Sequence, residues 1–460
     1  MLSNAPFSTA KNFWYTSLFW LIISMLCGLV VAIKQIDPNF LYFQGQDALN
    51  FALTYAHIRI IHTNGVLLAW LSMAMVGAMF YMIPKLTRTP LWSERLGNLT
   101  CIIWNLAIAA AVVVICMGYS TGVEYAELPL VLDIGVIILC VLMSINLFMT
   151  IAKRQEKQLY VSIWYFVGSL IWLPLVYTVG NIPSSIVGGA AQANMNWFYG
   201  HNVLGLWFTT VGIGQIYYLL PKLTGKPLYS HKLSLIGFWT IATIYVWNGP
   251  HHLVNGPIPV WLMKAGIIPS ILLIIPVWTV LANVFGTMRG VWHKVAEDVN
   301  MKFLVTAAIF YLMACLQGPF QALMQVSAVV KFTHWVVGHA HMAPFAAFSF
   351  VCFVTIYYAV PRLTGRNIYS KALMNWHYYF SVIGFLMFAF TLWIAGVIQG
   401  FAWMEGTPFI ETINTVRSLI VWRAVGGTMM IVGQFFFVFN LWRTVKAGTK
   451  FASDEESVVA

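Results

Sequence analysis

The chain has 460 residues, of which 60% are apolar and only 8% charged, against roughly 25% charged in a soluble domain. So few charges cannot cover a water-soluble protein of this size, which excludes a soluble enzyme or a nucleic-acid-binding module and leaves an integral membrane protein. The net charge of +11 is then a question of topology before it is a question of partners.

Twelve apolar runs of about 20 residues or more follow one another, each long enough to cross roughly 30 Å of hydrocarbon. Their spans are 13–33, 58–83, 98–119, 128–152, 160–181, 195–220, 233–254, 263–288, 303–327, 333–359, 376–400 and 422–443. The first run is too long for the apolar core of a signal peptide and lacks an Ala-x-Ala-like cleavage site, so it reads as a retained helix. No Gly/Ser/Pro-rich linker divides the chain. The expectation is an all-α integral membrane bundle of twelve transmembrane helices, one domain over residues 1–460.

The charges sort by side. The N-terminus, the loops after even-numbered runs and the C-terminal tail hold 19 of the 25 Lys and Arg, among them Lys85, Arg88, Lys153, Arg154, Lys222, Arg289, Arg362 and Arg443. The opposite side holds five: Lys34, Lys264, Lys331, Arg417 and Arg423. Arg59 lies inside the second run. This is the positive-inside asymmetry, and it places both termini in the cytoplasm. It also removes the need for a nucleic-acid partner. The cysteines, Cys27, Cys101, Cys116, Cys140, Cys315 and Cys352, lie in or beside apolar runs and form no Cys-x-x-Cys. They read as packing residues, with no covalent c-type heme site among them.

Histidine is the unusual residue of these runs. His62, His201, His251, His252, His334, His339 and His341 fall at membrane depth, where ionisable groups are costly and usually functional. One such histidine is as often a helix-to-helix hydrogen bond. A set of six or seven, with no comparable set of buried acids expected, calls for metals or heme irons. His339 and His341 stand two apart, so about 200° separates them around one helix, and each faces a different side. His251 and His252 follow Gly249-Pro250, and the proline distorts the helix there. That distortion lets neighbouring imidazoles converge on one ion, with His201 as a third ligand, a set that suits copper. His62 would pair across a heme with one histidine of the tenth run. Tyr245 precedes His252 by seven residues, and a regular helix would put both on one face.

The 20 tryptophans divide in the same way. Trp14, Trp20, Trp197, Trp261 and Trp376 fall near expected interfaces and read as belt anchors. Trp247 and Trp335 lie beside the histidines, where porphyrin packing competes with ordinary core packing.

These residues carry a family resemblance that covers nearly the whole chain. The histidines, together with Arg59-x-x-His62-Thr63-Asn64, Glu124-Tyr125-Ala126-Glu127-Leu128, Tyr199-Gly200-His201-Asn202, Tyr245-x-Trp247-x-Gly249-Pro250-His251-His252 and Arg423-Ala424-Val425-Gly426-Gly427, resemble the heme–copper oxidase superfamily. Within it they look like the catalytic subunit of the cbb3-type cytochrome c oxidases. The resemblance implies that His62 and His341 ligate a low-spin heme b and His339 a high-spin heme b3. It implies that His201, His251 and His252 hold the copper CuB, with Tyr245 cross-linked to His201. Arg59 and Arg423 would contact heme propionates, and Glu124 a calcium ion beside them. Tyr217, Ser234, Thr243 and Asn283 resemble parts of the family's proton channel, although each alone reads as a helix-to-helix hydrogen bond.

The implied activity is reduction of oxygen to water with coupled proton translocation, in a bacterial inner membrane. The electrons would come from membrane-anchored c-type cytochrome subunits fed by soluble cytochrome c. The superfamily also contains nitric oxide reductases, with non-heme iron for copper, no such tyrosine, and a glutamate one turn after the His201 position. Here that place is Gly205, which favours the oxidase, while Gly338-His339-Ala340-His341-Met342-Ala343 has some reductase character. Gln317 replaces a usual glutamate, and Lys331 and His334 replace a usual histidine and aspartate. These departures touch the proton and propionate network and leave the six ligands intact.

Overall fold

A computed structural model describes residues 3–451, and among them the architecture is helical throughout, with one isolated β-bridge between Arg366 and Lys450. The crossing segments are α1 (Ser8–Ile36), α2 (Tyr55–Thr87), α3 (Glu94–Cys116), α4 (Leu130–Ala152), α5 (Val161–Gly180), α6 (Gly189–Thr224), α7 (His231–Ile244), α8 (Val260–Thr287), α9 (Val299–Ala322), α10 (His334–Thr364), α11 (Lys371–Met404) and α12 (Arg417–Ala447). Among the described residues, eleven of these are long and apolar enough to span a bilayer unbroken. In hydrocarbon every backbone group must be satisfied within the chain, which the helix does locally.

The segment that fails the length test is α7, and its sequence explains why. Pro250 lacks an N–H, and its ring collides with the carbonyl four residues back. The α-helical ladder stops at Ile244, and the chain continues as two 3₁₀ turns, Tyr245–Trp247 and Gly249–Leu253. Three-residue bonds replace the four-residue ones, as from Asn248 N to Tyr245 O at 3.2 Å and from His251 N to Asn248 O at 3.0 Å. No regular helix therefore joins Tyr245 to His252, and their spacing of seven does not set a common face.

One pattern recurs three times at the cytoplasmic ends expected from charge. The segments Tyr81-Met82-Ile83-Pro84-Lys85-Leu86-Thr87, Tyr218-Leu219-Leu220-Pro221-Lys222-Leu223-Thr224 and Tyr358-Ala359-Val360-Pro361-Arg362-Leu363-Thr364 close α2, α6 and α10. Each is followed by a left-handed residue, Arg88, Gly225 or Gly365, the usual helix-ending conformation. Each loop then ends on a serine N-cap, Ser93, Ser230 or Ser370, that accepts from the backbone N–H three residues on. These three helices are also the interior of the bundle. In their membrane windows 83%, 94% and 83% of residues are buried, against 56% or less in the other spans. Each carries a π-helical stretch, at Gly65–Leu71, Leu204–Thr209 and Met342–Ser349, one to three residues after the histidines His62, His201 and His341. Such stretches re-aim side chains and gather at functional sites.

Hydropathy did not tell which face of a helix is inward. Trp14 is fully buried, its indole N–H donating to Ala74 O at 3.1 Å, and is no belt anchor. Trp247 is 64% exposed and turns away from the histidines.

Candidate active site

The turn after α7, the middle of α6 and the flank of α8 bring three imidazoles together. One ring nitrogen each from His201, His251 and His252 lies within 4.8 Å of the others. His201 Nδ1 is 3.0 Å from His252 Nε2, and His201 Nε2 is buried with no hydrogen-bond partner. His251 Nδ1 bonds the Ser270 hydroxyl, which itself donates to Gly266 O at 2.8 Å. The hydroxyl is thus left to accept, and His251 Nε2 keeps its lone pair. Trp197 stacks on His252 with centroids 3.9 Å apart and planes 7° apart. At Gly266 a Cβ would collide with His251 N, so only glycine lets α8 pass this turn. The donor set is three neutral imidazoles and no acid. With an orphaned buried nitrogen it fits a borderline cation such as copper.

Tyr245 stacks on His201, centroids 4.6 Å apart and planes 20° apart. It does so in space left by Gly205, where a Cβ would collide with the phenol ring. Any larger side chain at 205, a glutamate above all, removes Tyr245 from His201.

The other histidines share one device. His62 Nδ1 lies 2.8 Å from Ser24 O, and His341 Nδ1 2.8 Å from Val337 O. A carbonyl only accepts, so Nδ1 carries the hydrogen and Nε2 the lone pair. The two rings face each other, 5.9 Å apart and tilted by 20°. His339 Nδ1 is 3.0 Å from Gln317 Oε1 of α9, which turns its Nε2 the same way. His339 thus addresses α9, while His341 addresses α2 and packs on Phe388 of α11.

Around them lies a polar rim. Arg59 pairs with Glu124 at 2.8 Å, both half-exposed. Arg423 is buried, its Nη1 donating to Gln35 Oε1 at 2.6 Å and its Nε without a partner. Among the described residues no carboxylate pairs with it. A buried guanidinium wants an anion, and a heme propionate fits that need. His334 is no ligand: it shares Gln35 Oε1 with Arg423, at 3.3 Å, and bonds Gln399 through Nδ1.

Of the four residues expected along a proton path, the structure joins two directly. Asn283 Nδ2 donates to the Tyr217 hydroxyl at 3.4 Å. Ser234 is buried, with its hydroxyl on His231 O at 2.6 Å, and its own carbonyl accepts from Tyr165 OH at 3.2 Å. Thr243 is a correction. It is exposed and bonds only carbonyls of its own helix, Trp239 O at 2.8 Å and Thr240 O at 3.5 Å. It stands nine residues after Ser234, about half a turn out of phase, so the two cannot share a path.

Several residues escaped the sequence reading. Tyr165 packs its ring 5.6 Å from Tyr217. Tyr311 is buried, its ring 6.2 Å from that of Phe348. Two acids are buried after all. Glu127 accepts from Asn64 Nδ2 at 3.0 Å, and Asp133 from Tyr177 OH at 2.7 Å. Burial pushes the Glu127 carboxyl above its usual range, opposed by the Asn64 bond. Neither acid serves a histidine as hydrogen-bond partner.

The chain and its fold have relatives among known proteins. The family model described as "Cytochrome C and Quinol oxidase polypeptide I" matches residues 8–429. The chain is 30% identical over 473 residues to the cbb3-type cytochrome c oxidase subunit CcoN1 of Stutzerimonas stutzeri, covering 99% of this chain and 98% of that one. It is 32% identical over 454 residues to cytochrome c oxidase subunit 1 of Rhodobacter capsulatus, covering 95% and 85%. A nitric oxide reductase polypeptide of Stutzerimonas stutzeri is 23% identical over 471 residues, covering 94% of each. A solved heme-copper terminal oxidase dimer shares the fold with a TM-score of 0.81 at 18% identity, covering 98% of this chain and 85% of that one.

Proposed function

The chain belongs to the cytochrome c and quinol oxidase polypeptide I family, and from that premise we propose that it is the catalytic subunit of a cbb3-type terminal respiratory oxidase. It reduces oxygen to water with four electrons and four protons per molecule. The electrons come from membrane-anchored c-type cytochrome subunits, fed by soluble cytochrome c. The positive-inside charge pattern supports cytoplasmic termini, and the bacterial relatives support an inner-membrane location.

The observation that carries this reading is Tyr245 stacked on His201 within a three-imidazole cluster, in the space that Gly205 leaves. It favours copper and a phenol over the non-heme iron and glutamate of a nitric oxide reductase. His62 and His341 would hold heme b, His339 heme b3, and His201, His251 and His252 CuB. When bound, these groups supply electrons to oxygen. The chain supplies the rest. Tyr245 gives a proton and an electron from its hydroxyl beside His201. Ser270, Ser24, Val337 and Gln317 fix the tautomers that leave a lone pair on Nε2 of His251, His62, His341 and His339. Arg423 and Arg59 would hold propionates, and the apolar bundle keeps bulk water out. Glu124 would take part in a calcium site. Its carboxylate already holds Arg59, and carbonyl oxygens, water or heme propionates would complete the coordination.

Metal analysis and turnover of the purified complex test the function. Copper with oxygen reduction supports it. Iron in place of copper, with nitric oxide turnover and no oxygen turnover, would replace it by the reductase.

Gln317 adds a sharper expectation. A neutral carboxamide accepts from His339 Nδ1–H less strongly than a carboxylate, so the imidazole pushes less electron density onto its iron. Gln317→Glu is expected to lower the reduction potential of the high-spin heme in a spectroelectrochemical titration. An unchanged or higher potential would show that this bond does not tune the iron.

A further inference from the structure

Two members of the three-imidazole cluster ride on a five-residue 3₁₀ turn, Gly249–Leu253, where no α-helical ladder holds the backbone. Such a turn must be fixed from outside if His251 and His252 are to keep one geometry. Its upstream end is fixed by Gly249, where a Cβ would lie 2.9 Å from Trp197 O and 3.0 Å from Phe198 N. Its imidazoles are fixed by Ser270 on His251 and by Trp197 stacked on His252. The downstream end, Val254-Asn255-Gly256, needs a hold of its own.

That hold comes from the connection between α9 and α10. It runs through a seven-residue helix, Met324–Val330, then Lys331 and Phe332, to the N-cap Thr333. Val254 closes the turn and is fully buried, and its carbonyl accepts from Lys331 Nζ at 2.8 Å. Asn255 adopts a left-handed φ of 62°, which asparagine tolerates better than most residues, and its Nδ2 donates to Met324 O at 3.0 Å. Among the described residues the Lys331 ammonium pairs with no carboxylate. The carbonyl end of a helical turn carries partial negative charge, so Val254 O is a fitting acceptor for a cation. The next residue carries strain. Phe332 has a φ of 65°, in a region disfavoured for a bulky side chain, and its ring is 82% exposed with its centre 4.9 Å from Lys331 Nζ. Such a conformation persists where the surroundings impose it. Here the residues on either side do so: Lys331 on Val254 O, and buried Thr333, whose hydroxyl donates to Val330 O at 2.7 Å and accepts from Trp335 N at 3.3 Å.

We propose that Lys331 is a positioning residue for the His251-His252 pair, its ammonium capping the carbonyl end of the turn and tying it to the connection that opens the helix of His339 and His341. This rests on the reading of the three imidazoles as a copper site. Lys331 acts through the backbone of Val254, two residues after His252, so it governs the geometry in which the imidazoles meet the ion. Asn255 strengthens the same tie from the side of the turn. Lys331 is also a place where the chain departs from the pattern it otherwise resembles, so the tie belongs to this chain.

The test titrates the purified, reduced complex with bicinchoninate, a copper(I) chelator, in its native form and as Lys331→Met, Lys331→Arg and Asn255→Gly. Lys331→Met keeps an unbranched stem and loses the cation. It is expected to hold copper roughly tenfold more weakly, the scale of a lost supporting contact at a metal site, while the low-spin heme spectrum and the melting temperature stay close to native. Lys331→Arg keeps a cationic donor for Val254 O and is expected to restore copper affinity. Asn255→Gly keeps the left-handed backbone, loses only the bond to Met324 O, and is expected to weaken copper less than Lys331→Met does. Native copper affinity in Lys331→Met overturns the positioning role, and a shifted high-spin heme potential beside that native affinity would assign the ammonium to a propionate instead. Copper loss that Lys331→Arg leaves unrescued also overturns it. If Lys331→Met does not assemble, Asn255→Gly decides: weakened copper supports the tie and native affinity overturns it. A native complex without copper overturns the copper reading itself, and the tie with it.

Discussion

Replacing His62 by alanine is expected to remove the low-spin heme spectrum and to cut oxygen turnover to below about 1% of native, since an electron-transfer centre is lost outright. His62 lies three residues before the π-helical stretch of α2, and its Nδ1–H is held by Ser24 O at 2.8 Å. Gly28 of α1 lets the ring sit there, since a Cβ on it would fall 2.5 Å from His62 Cε1. The imidazole is therefore fixed in tautomer and position before any iron arrives. Alanine leaves His341 as the single ligand from this pair. The three imidazoles proposed to hold copper come from α6 and the turn after α7, so copper content is expected to stay near native. A variant with the full low-spin spectrum would take His62 out of the ligand set. One that loses copper as well would mean that the two centres are not separately built.

What the sequence made legible follows from how costly each residue is in a bilayer. Apolar runs and the histidines within them stand out because hydrocarbon tolerates few polar groups, and the ones it holds need partners. Charge asymmetry between the loops predicts the sides by the positive-inside rule. Three other things needed geometry. Pro250 announced a distortion, but not that the ladder would stop at Ile244 and pass into 3₁₀ turns. The orientation of each helix was hidden because a membrane helix can be apolar all round, so Trp14 looked like an interface residue and is wholly interior. Contacts between distant helices, such as Gln317 with His339 or Asn283 with Tyr217, have no sequence-local signature. Two features were available and went unread. Counting 100° per residue separates Thr243 from Ser234, and the thrice-repeated Tyr-x-x-Pro-Lys/Arg-Leu-Thr marks the three helices that carry His62, His201, His339 and His341.

Tyr245→Phe is expected to retain both hemes and copper and to lose nearly all oxygen reduction. The phenol ring packs against His201 and over Gly205, and phenylalanine fills that space without disturbing it, so folding and metal binding have no reason to change. What is lost is one hydroxyl. Breaking the O–O bond without releasing peroxide takes four electrons, and Tyr245 is the group beside the three imidazoles that can give an electron together with a proton. A loss of about a thousandfold corresponds to roughly 4 kcal/mol of barrier, a reasonable cost for removing a reactant group rather than a positioning one. The family resemblance adds a covalent bond between Tyr245 and His201. Their rings are already neighbours, 4.6 Å apart, and a bond between them would rigidify the phenol and ease its oxidation. Peptide mass spectrometry of the active enzyme is expected to find the Tyr245 and His201 peptides joined, lighter than their sum by two hydrogens. Separate peptides in an enzyme that still reduces oxygen would discard the cross-link and leave the stacked phenol as the donor. A Tyr245→Phe variant with native oxygen turnover would discard the donor as well, and with it the argument that Gly205 is kept small to seat a reactive phenol.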